Sequence, residues 1–383
     1  MKIFTVIIFL MIVSGCSSVT KHKSRQQTST THLIPSSFDE LHDWNTDMHE
    51  KPFIAFTQSC KRIMKKKQSS NKLGDDVYQW QQVCKNALNL SNSFGNINEL
   101  QGTKLAQARL LSKKFFEKYF RPYKVGMSDH SRSLSFNARF TGYYEMELQG
   151  TRKKNAKFPY PLYGLPKDRQ KGCQYFTRKE INAGALKGKN LEIAWVNDMP
   201  RLYFLHIQGN GVIKLREGGE IPLVWAGTNG YKFSPLPAKY LGSTTQVMKQ
   251  LRNKGQEGMH DMNLNKSYVF FKHRKEAFPV GAQVVMLTPE RSAAIDSRIY
   301  PYGVPIWMEA KLPFIKGFSK GEKYYRLLIA QDRGGAIQGG GRLDLFWGRG
   351  RRAESISSGF NSLGNMYVLF PKNIIIPKTF EIN

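Results

Sequence analysis

The densest group of residues able to do chemistry lies at 329–348, IAQDRGGAIQGGGRLDLFWG. Two carboxylates, Asp332 and Asp344, flank a loop with five glycines, and each closes a β-like run. Glycine tolerates positive φ and has no side chain, so such a loop can turn sharply and approach a bulky ligand. It lacks the Gly-Lys-Ser/Thr ending of a phosphate-binding loop. Carboxyl groups suit acid–base work. One that must donate a proton has to begin protonated, so burial or a neighbouring negative charge should raise its pKa. The competing reading is a tight β-connection in which the aspartates satisfy turn amides.

The elements that would hold these carboxylates read as β structure. From Phe136 onward short strand-like runs recur between Gly, Pro, Asn or Asp: RFTGYYEMEL, LEIAWV, RLYFLHIQG, GVIKLR, YVFF, AQVVMLTP, PIWMEA, YRLLIAQD, RLDLFWG and MYVLFP. Many strands and few long helices suggest barrels. Helical spacing is clear before them: Leu105, Ala108, Leu111, Phe115 and Tyr119 recur at three and four residues, with Pro122 beyond the end. Tyr78, Trp80, Val83, Ala87 and Leu88 mark a second helix. Thr177 to Leu186 reads as a short third, with Thr177 as N-cap and Glu180 completing a capping box.

At the N-terminus, Met1-Lys2 precedes an apolar run from Ile3 to Val13, and Ser14-Gly15 leads into Cys16. This is a secretory signal at residues 1–15, too short to span a membrane. VSGC resembles a bacterial lipobox, which would make Cys16 the acylated first residue of the mature chain. Ser17 after it implies sorting to the outer membrane of a Gram-negative cell, facing the periplasm. Residues 16–37, rich in Ser, Thr, Lys and Gln, read as a flexible tether. The body has no second apolar stretch of spanning length. A net charge of +29 calls for a polyanionic neighbourhood, but export excludes nucleic acid as the partner. Anionic lipid or carboxylate-bearing peptidoglycan fits instead, and the bland alternative is a solvated basic surface. KRIMKKK at 61–67, RKK at 152–154 and RGRR at 349–352 are dispersed. Cys60 and Cys84 are the local disulfide candidates, which leaves Cys173 as a lone thiol. No Cys/His spacing suggests a zinc site, so no metal and no cofactor is expected.

A wider pattern joins these pieces. FTGYYE at 140–145, FLHIQGNG at 204–211, WAGTNG at 225–230, SYVFF at 267–271, LTP at 287–289 with Arg291-Ser292, and the 329–348 segment occur in one order. Together they resemble the membrane-bound lytic murein transglycosylase A family, over about residues 50–371. Asp296, Asp332 and Asp344 match the triple-aspartate signature of its C-terminal domain. The resemblance implies a mainly β protein: a double-psi β-barrel domain from 38–145 and 272–383, a second β-barrel lobe inserted at 146–271, and a few peripheral helices.

The activity so implied cuts the β-1,4 bond between N-acetylmuramic acid and N-acetylglucosamine in peptidoglycan glycan strands. Asp344 would serve first as acid, then as base for the C-6 hydroxyl that closes a 1,6-anhydro ring, while Asp296 and Asp332 shape the site and raise its pKa. Thr141, Gly142, Tyr143, Tyr144, Gln208, Asn210, Asn229, Gln338 and Trp347 are the implied or plausible substrate contacts. Gln338 stands where relatives commonly carry a basic residue, Arg333 replaces a small or apolar one, and 349–364 diverges. Other cell-wall enzymes are conceivable partners. Two alternatives stay open: a barrel that binds murein without cutting it, and a hydrolase using Asp332 and Asp344 as a pair.

Overall fold

The computed structural model describes residues 30–128, 133–170, 172–275, 279–312 and 321–381. The expected signal at 1–15 and the expected acylation site Cys16 lie outside them. Strand β1 (Thr30–Pro35) is followed by helices α1 (Glu50–Ile63), α2 (Val77–Phe94) and α3 (Gly102–Tyr119), then β2 (Phe120–Ser128), β3 (Leu134–Ser135) and the long β4 (Ala138–Thr151). The middle of the chain carries β5 (Tyr160–Tyr163), α4 (Arg178–Asn182), β6 (Glu192–Val196), α5 (Met199–Gln208), β7 (Asn210–Leu215), β8 (Glu220–Thr228), α6 (Thr244–Asn253), α7 (Gln256–Leu264) and β9 (Val269–His273). The C-terminal part adds β10 (Ser292–Ile295), β11 (Pro305–Lys311), β12 (Lys323–Asp332), β13 (Arg342–Arg349), α8 (Gly350–Gly359), β14 (Asn361–Pro371) and β15 (Thr379–Phe380).

Two strand rings share β4. In the first, β14 pairs with both β11 and β4, so β14-β11-β12-β10-β13-β4 closes on itself, with β4 parallel to β13 and β10 parallel to β12. Closure leaves none of these six strands as an edge. The second ring begins where β4 passes Glu145: Met146 to Gly150 pair with β7, which continues to β8 and β9, while Gly150 and Thr151 pair with β6 and through it β5. A bridge between Gly164 and Phe271 joins β5's end to β9. One continuous strand therefore carries side chains from one barrel to the other.

The helices pack outside. Phe53, Phe56, Phe115, Phe116 and Phe120 interlock through edge-on and tilted ring contacts of 5.2–6.3 Å. Such pairs add to the area they bury. The Cys60–Cys84 disulfide ties α1 to α2. Thr177 caps α4 with the reciprocal Glu180 bond, and the helix stops at Asn182, short of Leu186.

Several expectations need correction. RLYFLHIQG is a helix, not a strand: the Asp198 side chain caps the Arg201 amide, Pro200 sits in the first turn, and Gly209 at φ 74° ends it. AQVVMLTP is not a strand either. The chain doubles back as the Gly281 amide donates to the Val285 carbonyl at 3.0 Å, and Val284 takes φ 62°. Residues 30–35, expected to belong to a flexible tether, are instead strand β1, with Thr31 and Leu33 buried as it pairs with β2. Cys173 is not the lone thiol expected: no cysteine among the described residues is free. Among the described residues no helix is long and apolar enough to cross a membrane, and no group of His, Cys, Asp or Glu could hold a metal ion.

Candidate active site

Strand register brings the carboxylates together. Asp344 on β13 lies beside Thr141 on β4 and, on its other side, Ala294 on β10; Ala294 in turn pairs with Asp332 on β12. Four residues far apart in sequence thus form one row across four strands. Alternation along β13 turns Arg342, Asp344 and Phe346 to the face opposite Leu343, Leu345 and Trp347, which enter the core. Tyr143 is two residues along β4 from Thr141, and its ring meets that of Phe346 at 5.2 Å.

Thr141 Oγ1 donates to Asp344 Oδ1 at 2.5 Å, and Arg342 Nη2 donates to Thr141 Oγ1 at 2.8 Å. Asp332 accepts three bonds: from the amides of Ala282 and Arg333 on Oδ1, each 2.9 Å, and from the Tyr143 hydroxyl on Oδ2 at 2.8 Å. Burial pushes the Asp344 carboxyl up from 3.8 to about 6, helped by the charge of Asp332 and opposed by Thr141 and Arg342. Burial also raises Asp332, against the pull of its three donors and Arg333. The Tyr143 phenol is held well above its usual range by burial and by both aspartates, so it stays a donor. A carboxyl titrating near 6 can give up a proton and take it back at neutral pH.

Asp296 is tied elsewhere. The Arg298 guanidinium donates to it at 2.9 and 2.7 Å, the Arg298 amide at 3.0 Å and the Gly339 amide at 2.8 Å. Burial pushes this carboxyl up, but those donors outweigh it and hold it below the usual range. Its position is that of a brace for the glycine loop. Two of the loop's five glycines serve the protein's own packing: a Cβ on Gly340 would lie 2.3 Å from Thr31 Oγ1, and one on Gly341 2.1 Å from Met127 Sδ. At these two positions the close approach is to β1 and β2.

The other singled-out residues divide. Thr141 and Tyr143 face the carboxylates. Gly142 and Tyr144 point the other way: a Cβ on Gly142 would meet Trp347 Nε1 at 2.4 Å, and Tyr144 lines a separate cavity of about 300 Å³ with Glu147, Arg201 and Glu354. Trp347 is buried against Tyr324 and Phe360. Asn229 is fully buried, donating to the carbonyls of Phe176 and Lys266 and accepting from the Tyr268 amide, each at 2.8 Å. With those bonds made inside the second barrel, it has no surface to offer a ligand. Gln208 and Asn210 flank the α5–β7 junction, and Gln338 is exposed, bonding the Gly335 carbonyl at 2.9 Å.

Sequence reasoning missed Arg342, the Ala282 amide and the buried Glu145. Glu145 follows Thr141 and Tyr143 on the same face of β4 and is paired with Arg274 at 2.7 Å and with Arg349. The alternation Thr141, Tyr143, Glu145 was a usable signal. Nothing in an apolar stretch marks the Ala282 amide.

Comparison with known proteins follows the same division. Residues 139–272 match the MltA specific insert domain, and residues 291–370 the 3D domain. Membrane-bound lytic murein transglycosylase A of Escherichia coli strain K12 is 31% identical over 245 residues, 61% of this chain and 66% of that protein. The match therefore spans just under two thirds of that relative. Lytic transglycosylase LtgG of Burkholderia pseudomallei is 29% identical, covering 89% of this chain and 96% of that one, with a TM-score of 0.59. Escherichia coli MltA crystallised with bound chitohexaose superimposes at a TM-score of 0.61, covering 91% and 95%; at 24% identity this is a likeness of fold, the double-psi barrel with its inserted lobe.

Proposed function

The chain belongs to the membrane-bound lytic murein transglycosylase A family, and from that premise we propose that it cleaves peptidoglycan glycan strands without water, leaving 1,6-anhydromuramic acid ends. Asp344 begins protonated and gives its proton to the leaving oxygen of the β-1,4 bond. As carboxylate it then accepts the proton of the muramic acid C-6 hydroxyl while that oxygen attacks the anomeric carbon. The observation that carries this reading is the Asp344 carboxyl itself, shifted to about 6 and hydrogen-bonded on one oxygen by Thr141.

The environment of Asp332 favours this over hydrolysis by a carboxylate pair. Its oxygens accept three bonds, so it is poorly disposed to take a proton from water. Its own strand also lies two strands from that of Asp344, about 10 Å at the usual strand spacing. Asp332 acts instead as a fixed negative charge that favours the neutral acid. We place the glycan along the shared face of β4 at the junction of the barrels, a setting in which ligand sites are expected. That the same fold in Escherichia coli has been crystallised with chitohexaose supports a β-1,4 glycan as ligand.

Digestion of purified sacculi in oxygen-18 water is the test. Anhydro ends without label are expected; predominantly labelled reducing ends would refute the proposal, and no release would favour a binding protein. We further propose a barrel domain formed by 30–145 and 272–383, with the inserted lobe at 146–271, and attachment to the outer membrane through an acylated Cys16. Mass spectrometry of the mature N-terminus tests the attachment: an acylated Cys16 as first residue is expected, and an unmodified one would refute it.

A further inference from the structure

We propose that Arg342 is a positioning residue for this reaction: it fixes the Thr141 hydroxyl so that Asp344 carries its acid proton on Oδ2, the oxygen Thr141 does not hold. The proposal rests on the reading of Asp344 as the acid. A guanidinium only donates, so at 2.8 Å its Nη2 occupies a lone pair of Thr141 Oγ1. The hydroxyl has one proton, and Asp344 Oδ1 is 2.5 Å away. The cation polarises the hydroxyl and strengthens that donation. With Oδ1 accepting, the proton of a neutral Asp344 resides on Oδ2.

Arg342 is itself held in place. Its Nη1 donates to the Leu343 carbonyl at 2.7 Å, and the Arg139 carbonyl lies at 3.4 Å. The planar fork can reach a hydroxyl and a carbonyl together, which a lysine ammonium on its flexible stem does not reproduce. The charged or titratable groups around the pair come from three strands: Tyr143 and Arg139 on β4, Arg342 beside Asp344 on β13, and Asp332 on β12; β10 contributes Ala294, which cannot titrate.

The two roles of Arg342, charge and fork, separate experimentally. Formation of anhydro ends is measured against pH for Arg342→Gln, Arg342→Lys, Thr141→Val and the double variant Thr141→Val/Arg342→Gln. Arg342→Gln is expected to lower kcat about tenfold or more and to move the alkaline limb of the pH profile upward by about one unit. Arg342→Lys should return the limb to the wild-type position while kcat stays low. The double variant should lose no more kcat than Thr141→Val, because Arg342 acts through that hydroxyl. Losses that multiply, or a rise in KM with kcat unchanged, would overturn the proposal. Asp344→Asn, assayed alongside, distinguishes the two levels: an active variant refutes Asp344 as the acid, whereas multiplicative losses with an inactive Asp344→Asn refute only the role of Arg342.

Discussion

Asp344→Asn should abolish cleavage and at the same time make the folded chain less sensitive to alkali. The native carboxyl titrates at about 6 against 3.8 without burial. Between those values the folded state binds more protons than the unfolded one, so this group's contribution is fully present below pH 3.8 and lost as pH rises through 6. At about 1.36 kcal/mol for each tenfold change in proton affinity, this difference is roughly 3 kcal/mol. Asparagine does not titrate and keeps an oxygen to accept from Thr141. The stability of the variant relative to wild type should therefore rise by roughly 2–3 kcal/mol between pH 4 and pH 7.5. Urea unfolding at a series of pH values reads this difference directly, and in a chain of this size it corresponds to roughly 5 °C in melting temperature at neutral pH. Anhydro-product assays on the same samples should show at least a hundredfold loss. A stability difference that stays flat from pH 4 to 7.5 would refute the buried, neutral carboxyl. Activity within a few-fold of wild type would refute its role.

Gly142→Ala forces a Cβ to within 2.4 Å of Trp347 Nε1, and calorimetry should show a loss of about 1–3 kcal/mol, with Trp347→Phe partly rescuing it. Reducing Cys60–Cys84, or replacing both by serine, opens a loop of sequence separation 24 and should cost about 3 kcal/mol in denaturant unfolding without changing the pH profile of cleavage. Asn229→Ala removes three buried hydrogen bonds and should cost on the order of 3 kcal/mol, while KM at a temperature where the variant is folded stays at the wild-type value; a raised KM would make Asn229 a substrate contact after all.

Much of the architecture was legible because it depends on local signals. The apolar spacing of Leu105 to Tyr119 predicts α3, the Thr177–Glu180 box predicts the start of α4, and alternation marks β4, β12 and β13. Local signals also misled. Tyr203, Phe204 and Ile207 suit a strand, yet Asp198, Pro200 and Gly209 punctuate the segment as a helix. Val284 and Val285 suit a strand, yet the chain bends there and lends its Ala282 amide to Asp332.

From sequence alone come the inventory and its order: three aspartates in matched motifs, an N-terminus that reads as an export signal, a β-rich body and two cysteines close enough to pair. The motif match names Asp344 as the acid, but neither order nor spacing gives the physical reason. That depends on register, because a slip of one residue turns every side chain of a strand to the other face. Register sets Thr141 against Asp344, and Ala294 between Asp344 and Asp332. It also places Trp347 in the core instead of a groove and gives Asp296 to Arg298. Burial and nearby charge set a pKa, and both are properties of the closed barrel: Asp296, Asp332 and Asp344 are the same residue chemically, and only their surroundings pull the first below the usual carboxylate range while pushing the other two above it.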